Sequence, residues 1–91
     1  MRMVTLGERL KYLRQTRKKT LDELAEDLDT TKTTLSRYEN NKRVPDADFI
    51  IRLARYFKVS ADYILCLSDN PFTVTDFVKY QKRPQLKQRL P

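Results

Sequence analysis

Residues 21–45 read LDELAEDLDTTKTTLSRYENNKRVP, and this stretch decides the fold. Its first part is acidic and carries leucines at helical spacing, whereas its second part is rich in hydroxyl, amide and basic side chains. The short sequence DTT, residues 29–31, separates the two parts. The stretch therefore predicts two short helices that are joined by a tight turn.

The acidic part has the start, the face and the end of an amphipathic helix. Thr20 and Glu23 have the spacing of a capping box, in which each side chain accepts a hydrogen bond from the other residue's backbone N–H. Asp29 can adopt the left-handed backbone conformation that a tight turn needs, so we expect the helix to end near it. Apolar residues at i, i+3, i+4 and i+7 form the predicted buried stripe: Leu21, Leu24, Ala25 and Leu28.

The polar part predicts a helix with two different faces. Thr31 is a good N-cap for a helix over residues 32–40, and Asn41 can close that helix in the left-handed conformation. Leu35 and Tyr38 fall on one side of a helical wheel and can dock the helix on its neighbours. The opposite arc is polar throughout: Lys32, Thr33, Ser36, Arg37 and Asn40. Because this arc has nothing apolar to bury, it must face solvent or a partner.

Three further helices flank this pair, so the sequence predicts an all-α fold of five short helices. Thr5 and Glu8 form a second capping box, and the helix that they begin should run to about Lys18. Asp46 starts a fourth helix and Ser60 caps a fifth. The predicted inward residues of these two helices are Ile50, Leu53, Ala54, Phe57, Ala61, Ile64 and Leu65.

Length and composition indicate one small domain in a reducing compartment. The 91 residues contain a single cysteine, which excludes an internal disulfide and suits the cytoplasm. The sequence has no apolar run of transmembrane length and does not start with a secretory signal, so we expect a soluble cytoplasmic protein with no membrane partner. The net charge of +7 favours a polyanionic partner.

The residue types that catalysis needs are largely missing. The chain has no histidine, no glycine-rich phosphate loop and no cysteine cluster, so catalytic triads, P-loops and zinc sites lack their parts. Cys66 lies among apolar residues and is predicted to be a small core residue. We therefore predict no enzyme activity, no catalytic residue, no metal and no cofactor.

The polar arc of the third helix has the chemistry of a DNA reader. Arg37 can present a two-pronged donor to guanine, and Lys32 can donate to the same acceptors. Thr33 and Ser36 can form hydrogen bonds with base edges, and the Thr33 methyl can contact a thymine methyl. An ordinary solvated helix face has a similar composition, so the arc by itself leaves both interpretations open.

Three segments together resemble the phage-repressor and Cro-like family, often called XRE-type. They are GERLKYLRQ, LDELAEDLDTTKTTLSRYENNKRVP and IIRLARYFKVSADYIL, and the resemblance extends from Leu6 to Leu67. It implies a five-helix repressor-like domain over residues 1–70, whose helices 2 and 3 form a helix-turn-helix, followed by a C-terminal extension over residues 71–91. The family's third helix enters the major groove.

The resemblance also implies roles for particular residues. The family's base-reading positions fall on Lys32, Thr33, Ser36 and Arg37. Its phosphate-contacting positions fall on Thr31, Asn40, Lys42 and Arg43, with Leu21 offering a backbone N–H. Its paired-charge positions, which tie helix 1 to helix 3, fall on Arg14 and Glu39. Asp29 and Asn41 stand where the family has glycines, and both tolerate a positive φ.

The combined prediction is a transcription regulator that binds a palindromic duplex operator as a homodimer. Repression is the expected sign of regulation. The acidic second helix is expected to face away from the DNA. The alternative is a protein-interaction module such as an antitoxin or adaptor, and a regulatory protein partner is compatible with either. Apolar residues of the extension, such as Phe72 and Phe77, either cover the domain's own core or form a dimer contact.

Overall fold

The structure, a computed structural model, describes residues 4–73, and all regular secondary structure in this range is α-helical. The helices are α1 (Leu6–Thr16), α2 (Leu21–Asp27), α3 (Lys32–Glu39), α4 (Ala47–Phe57) and α5 (Ala61–Ile64). The predicted all-α, five-helix architecture is confirmed. The predictions made for residues 74–91 lie outside the described residues.

Each helix begins directly after the residue that was predicted to cap or start it. In every case the cap oxygen accepts a hydrogen bond from the backbone N–H three residues later, and the boxes before α1 and α2 are complete in both directions. These bonds satisfy donors that a helix start otherwise leaves without a partner. The caps are Thr5, Thr20, Thr31, Asp46 and Ser60.

Left-handed residues end the first three helices and make their connections short. Asp29 and Asn41 have φ angles of 57° and 59°, which confirms the conformation predicted for both. Lys18 has a φ of 54°, and α1 accordingly stops at Thr16 rather than at the predicted Lys18. The turn between α2 and α3 therefore keeps its tight form although it contains no glycine.

The helix-turn-helix pair is held by a leucine-rich core. α3 packs against both α1 and α2, and α4 packs against α5. Leu35 and Tyr38 of α3 are buried, and the Tyr38 ring lies 5.2 Å, centroid to centroid, from the ring of Phe49 on α4. The largest fully buried side chains are Leu10, Leu24, Leu28, Leu35, Leu53 and Ile64. Burial of this side of α3 leaves its polar arc outward.

The prediction for α5 is wrong in two of its three inward residues. Ile64 is fully buried, but Ala61 and Leu65 are exposed. α5 is a single turn of four residues, and the chain then reverses through Cys66 with a φ of 65°. Cys66 is consequently half-buried rather than part of the core, and Leu67 points into solvent.

Candidate nucleic-acid interface

The outward face of α3 carries the side chains that were predicted to read DNA bases. Lys32, Thr33 and Arg37 are exposed, and Ser36 is half-buried between them. The same helix buries Leu35, Tyr38 and Glu39 against the rest of the domain. The structure thus presents a polar helical surface, which we call the α3 face, defined by Lys32, Thr33, Ser36 and Arg37.

The residues predicted to contact phosphates adjoin α3 in the chain, except for Leu21 at the start of α2. Lys42 and Arg43 are exposed in the segment that follows α3. Leu21 is half-buried as the first residue of α2, where backbone N–H groups lack partners within their own helix.

Two polar side chains near the α3 face already make internal hydrogen bonds. The Thr31 hydroxyl accepts from the Thr34 N–H and donates to the Thr34 hydroxyl, with a donor–acceptor distance of 2.9 Å for the second bond. The Asn40 amide donates to the Ser36 carbonyl oxygen at 2.9 Å. Each would have to share or exchange a bond in order to contact a phosphate.

An acidic residue of α2 lies closer to the α3 face than expected. The Asp22 carboxylate is 3.9 Å from the Lys32 ammonium, and both side chains are largely exposed. The expectation that the whole acidic helix faces away from this surface is therefore wrong for Asp22. α2 packs on α3, and this packing allows the two side chains to meet.

Arg14 and Glu39 form a two-pronged ion pair between α1 and α3. Arg14 Nε lies 2.6 Å from Glu39 Oε2, and Arg14 Nη2 donates to Glu39 Oε1 at 3.0 Å. The Arg14 side chain is 13% exposed and that of Glu39 is 5% exposed. Arg14 Nη1 also donates to the Lys19 carbonyl oxygen at 2.9 Å. The hydrogen bonds to Glu39 raise the pKa of Arg14 against the opposing effect of burial.

A second connection between α1 and α3 was not predicted. The Asn41 Oδ1 accepts from the Gly7 N–H at 3.0 Å, and the Asn41 Nδ2 donates to the Thr5 hydroxyl at 2.9 Å. The sequence indicated only the left-handed backbone of Asn41. Its partners are more than thirty positions away along the chain, and no local pattern identifies them.

Gly7, the only glycine in the chain, allows this close approach. A Cβ atom on Gly7 would lie 2.5 Å from the Glu39 carbonyl oxygen and 2.6 Å from that of Tyr38. Both are backbone atoms at the end of α3. The absence of a side chain at this position therefore sets how near the start of α1 lies to the end of α3.

Arg9 is a buried cation that the sequence reasoning also missed. Its guanidinium lies 3.9 Å from the centre of the Tyr63 ring, and Nη2 is 3.4 Å from the Asp69 carboxylate. These contacts join α1 to α5 and to the segment after it.

Away from the α3 face, Asp27 accepts a hydrogen bond from the Tyr56 hydroxyl at 2.6 Å and lies 3.0 Å from the Lys19 ammonium. The bond from Tyr56, followed by that from Lys19, lowers the pKa of Asp27. The same contacts with Asp27 raise the pKa values of Lys19 and Tyr56. This cluster connects α2 and its preceding loop to α4.

The pKa shifts of Asp27, Lys19 and Tyr56 predict that the stability of the fold depends on pH. Asp27 stabilises the fold above its unfolded pKa of about 4, and this contribution is lost as the pH falls through its lower folded pKa. The contributions of Lys19 and Tyr56 are present below about pH 10 and are lost as the pH rises through their raised pKa values. Asp27→Asn should therefore flatten the acid limb of a melting-temperature profile, and Glu26→Gln, an exposed carboxylate on the same helix, is the control. Equal profiles for the two variants would contradict the assignment.

Within residues 4–73 the structure shows no group of acidic, histidine or cysteine side chains arranged to hold a metal ion. In the same part of the chain, none of the helices has both the length and the apolar character needed to cross a bilayer.

Comparison with known proteins identifies the class of this domain. Residues 7–69 match the family model described as a helix-turn-helix domain. The chain belongs to this helix-turn-helix family, so the family resemblance is confirmed.

The chain is similar to two regulators of Bacillus subtilis (strain 168). It is 41% identical over 64 residues to the uncharacterized HTH-type transcriptional regulator YobD. That match covers 70% of this chain and 57% of YobD. It is 42% identical over 62 residues to the HTH-type transcriptional regulator ImmR, covering 68% of this chain and 49% of that protein. The matches thus span only about half the length of these relatives.

A solved structure shares the fold. The P22 c2 repressor protein, crystallised in complex with a synthetic operator, superposes with a TM-score of 0.64 at 23% sequence identity. The superposition covers 67% of this chain and 92% of that chain.

Proposed function

We propose that this protein is a transcription regulator that binds duplex DNA by placing α3 in the major groove. The observation that carries the proposal is the α3 face, a polar surface on a helix whose other side is buried in the core. An α-helix fits the major groove, where side chains can distinguish the base pairs. The names of YobD and ImmR, and the operator complex of the P22 c2 repressor, support the same function.

The residues of the α3 face have separate roles in this proposal. Arg37 donates to guanine through its two-pronged guanidinium, and Lys32 donates to the same class of acceptor. Thr33 and Ser36 add hydrogen bonds to base edges, and the methyl group of Thr33 can contact a thymine methyl. Asp22 draws the Lys32 ammonium toward α2 in the free protein, and this contact is exchanged for the DNA contact on binding.

The surrounding groups position the protein on the sugar–phosphate backbone. We assign this role to Thr31, Asn40, Lys42, Arg43 and the backbone N–H of Leu21. Such contacts fix register and supply affinity but carry no sequence information directly. The Arg14–Glu39 pair contributes indirectly, because it holds the last residue of α3 on α1.

The proposal extends to assembly and location. Repressor-type domains read palindromic operators as dimers whose recognition helices lie about 34 Å apart. We propose a homodimer on DNA that acts as a repressor in the cytoplasm, without enzymatic activity. We also propose that residues 1–70 form the DNA-binding domain and residues 71–91 its extension.

Paired substitutions test the division between base-reading and phosphate-contacting residues. Arg37→Ala should cost about 1–3 kcal/mol of binding free energy on the selected operator and relax the preference at one base pair. Lys42→Ala should weaken binding to all sequences alike and reduce the slope of log K against log salt by about one. Fluorescence anisotropy with operator and mixed-sequence duplexes, at several salt concentrations, measures both effects.

Arg55→Ala is a matched control because Arg55 lies on α4, outside the proposed interface. It removes one positive charge, as the other two variants do, but should leave the base preference unchanged. If Arg37→Ala and Lys42→Ala had the same effect on every duplex, the assignment of roles would be wrong. If neither differed from Arg55→Ala, α3 would not be the DNA-binding element.

A further inference from the structure

We propose that Asn41 is a positioning residue for DNA recognition, and that it acts by fixing the end of α3 to the first turn of α1. The inference rests on the proposed function. Asn41 is assigned no DNA contact of its own. Its effect passes through the orientation of the α3 face and through Lys42 and Arg43, which follow it directly in the chain.

Both ends of the Asn41 carboxamide are used in this connection. Its oxygen accepts from the Gly7 N–H at 3.0 Å, and its nitrogen donates to the Thr5 hydroxyl at 2.9 Å. Thr5 is the N-cap of α1 and also accepts from the Glu8 N–H. The amide of Asn41 therefore joins the capping hydrogen bonds of α1 to the first residue after the C-cap of α3.

The backbone conformation alone does not require asparagine here. A φ of 59° is adopted by glycine without steric cost, so glycine would make the same turn. What asparagine adds is a side chain that tolerates this conformation and reaches α1. The two hydrogen bonds, rather than the turn, are thus the distinctive contribution of Asn41.

The connection works together with the Arg14–Glu39 ion pair. Both originate at the end of α3, but Asn41 binds the first turn of α1 and Glu39 binds its last turn. Two attachments at opposite ends of α1 restrain both the position and the rotation of α3, whereas one attachment leaves a pivot. Gly7 completes the restraint because it lets the α1 backbone approach the carbonyl groups of Tyr38 and Glu39.

Loss of the Asn41 hydrogen bonds should therefore lower the affinity for the operator more than the affinity for mixed-sequence DNA. Base contacts need the α3 face and the phosphate contacts to be in register, whereas non-specific binding depends mainly on the number of cationic groups. All of the cationic groups remain when Asn41 is changed. The ratio of operator affinity to mixed-sequence affinity is accordingly the quantity that reports a positioning role.

The test compares Asn41→Gly with the wild-type protein, after selection of an operator from randomised duplexes. Asn41→Gly keeps the left-handed turn and removes both side-chain hydrogen bonds. Loss of two hydrogen bonds that fix the register should lower operator affinity about tenfold, with less than about a twofold change on mixed-sequence DNA. Circular dichroism at the assay temperature establishes that the variant is folded.

Asn41→Asp is the conservative control. Its carboxylate can accept from the Gly7 N–H and from the Thr5 hydroxyl, so the connection to α1 is retained. The added negative charge beside Lys42 should weaken binding to operator and mixed-sequence DNA by the same factor. The affinity ratio of Asn41→Asp should thus stay close to that of the wild-type protein, while that of Asn41→Gly falls.

The possible failures are distinguishable. If the wild-type protein enriches a sequence but Asn41→Gly retains the wild-type affinity ratio, the positioning role is overturned and the proposed function stands. An equal loss on both DNAs by a folded Asn41→Gly variant would likewise overturn it. If the wild-type protein enriches no sequence, the proposed function and this inference both fail.

Discussion

Gly7→Ala is expected to destabilise the domain by about 1–3 kcal/mol, the usual cost of forcing an extra methyl group into a packed site. The new Cβ would lie 2.5 Å from the Glu39 carbonyl oxygen and 2.6 Å from the Tyr38 carbonyl oxygen. Both atoms belong to the backbone of α3, so relief requires α1 and α3 to move apart. This movement would also weaken the hydrogen bond between the Gly7 N–H and Asn41.

Helix propensity acts in the opposite direction and makes the prediction sharper. Alanine favours a helix over glycine by about 1 kcal/mol at an unstrained position. Lys11→Ala, at an exposed position of the same helix, is a control without the steric conflict. Urea unfolding followed by circular dichroism should show a loss for Gly7→Ala and little change for Lys11→Ala. A Gly7→Ala variant as stable as the wild type would contradict the close approach of Gly7 to the carbonyl oxygens of Tyr38 and Glu39.

Glu39→Ala should destabilise the protein by about 3 kcal/mol, the lower end of the range for breaking a buried ion pair. The substitution leaves the Arg14 guanidinium largely buried, where it still donates to the Lys19 carbonyl oxygen. A buried charge without its counter-ion carries the desolvation penalty uncompensated. The lower end applies because this acceptor remains and because the Arg14 side chain is still 13% exposed.

The double variant Arg14→Met with Glu39→Leu separates the ion pair from the packing around it. Replacing both charges with apolar side chains of similar size removes the unpaired charge, so the double variant should be more stable than Glu39→Ala. Urea unfolding of the wild type and both variants measures the difference. A Glu39→Ala variant within 0.5 kcal/mol of the wild type, the usual range for surface substitutions, would contradict a buried ion pair here.

The sequence predicted those parts of the fold that depend on local chemistry. A cap such as Thr31 is recognisable because its hydroxyl bonds to a backbone N–H three residues away. Asp29 and Asn41 were recognisable as left-handed residues because their short polar side chains tolerate a positive φ. The two faces of α3 follow from helical periodicity, which separates Leu35 and Tyr38 from the polar arc.

The errors arise where tertiary packing decides. Asp22 and Lys32 come together because α2 packs on α3, and no periodicity within either helix specifies that contact. Leu65 was placed inward by spacing, but α5 ends one residue before it. The bond between Gly7 and Asn41 crosses more than thirty residues and depends on how closely α1 approaches α3.

The site was predictable in composition but not in its supporting contacts. The polar arc of α3 is visible in the sequence, and the family resemblance supplied the separate roles of the base and phosphate residues. The bond from the Thr31 hydroxyl to the Thr34 hydroxyl and the bond from Asn40 to the Ser36 carbonyl oxygen become visible only in the folded structure. The contacts that hold α3 on α1 thus complete an interface of which the sequence indicates only the outer surface.

Selection from a pool of randomised DNA duplexes at near-physiological salt tests the central claim most directly, because it asks whether the α3 face recognises sequence. The account predicts enrichment of a two-fold symmetric site whose half-sites lie about one helical turn apart. Repetition with Arg37→Ala should then lose the preference at one position in each half-site. Failure to enrich any sequence, together with binding that disappears as salt rises, would contradict the account and leave only a basic surface.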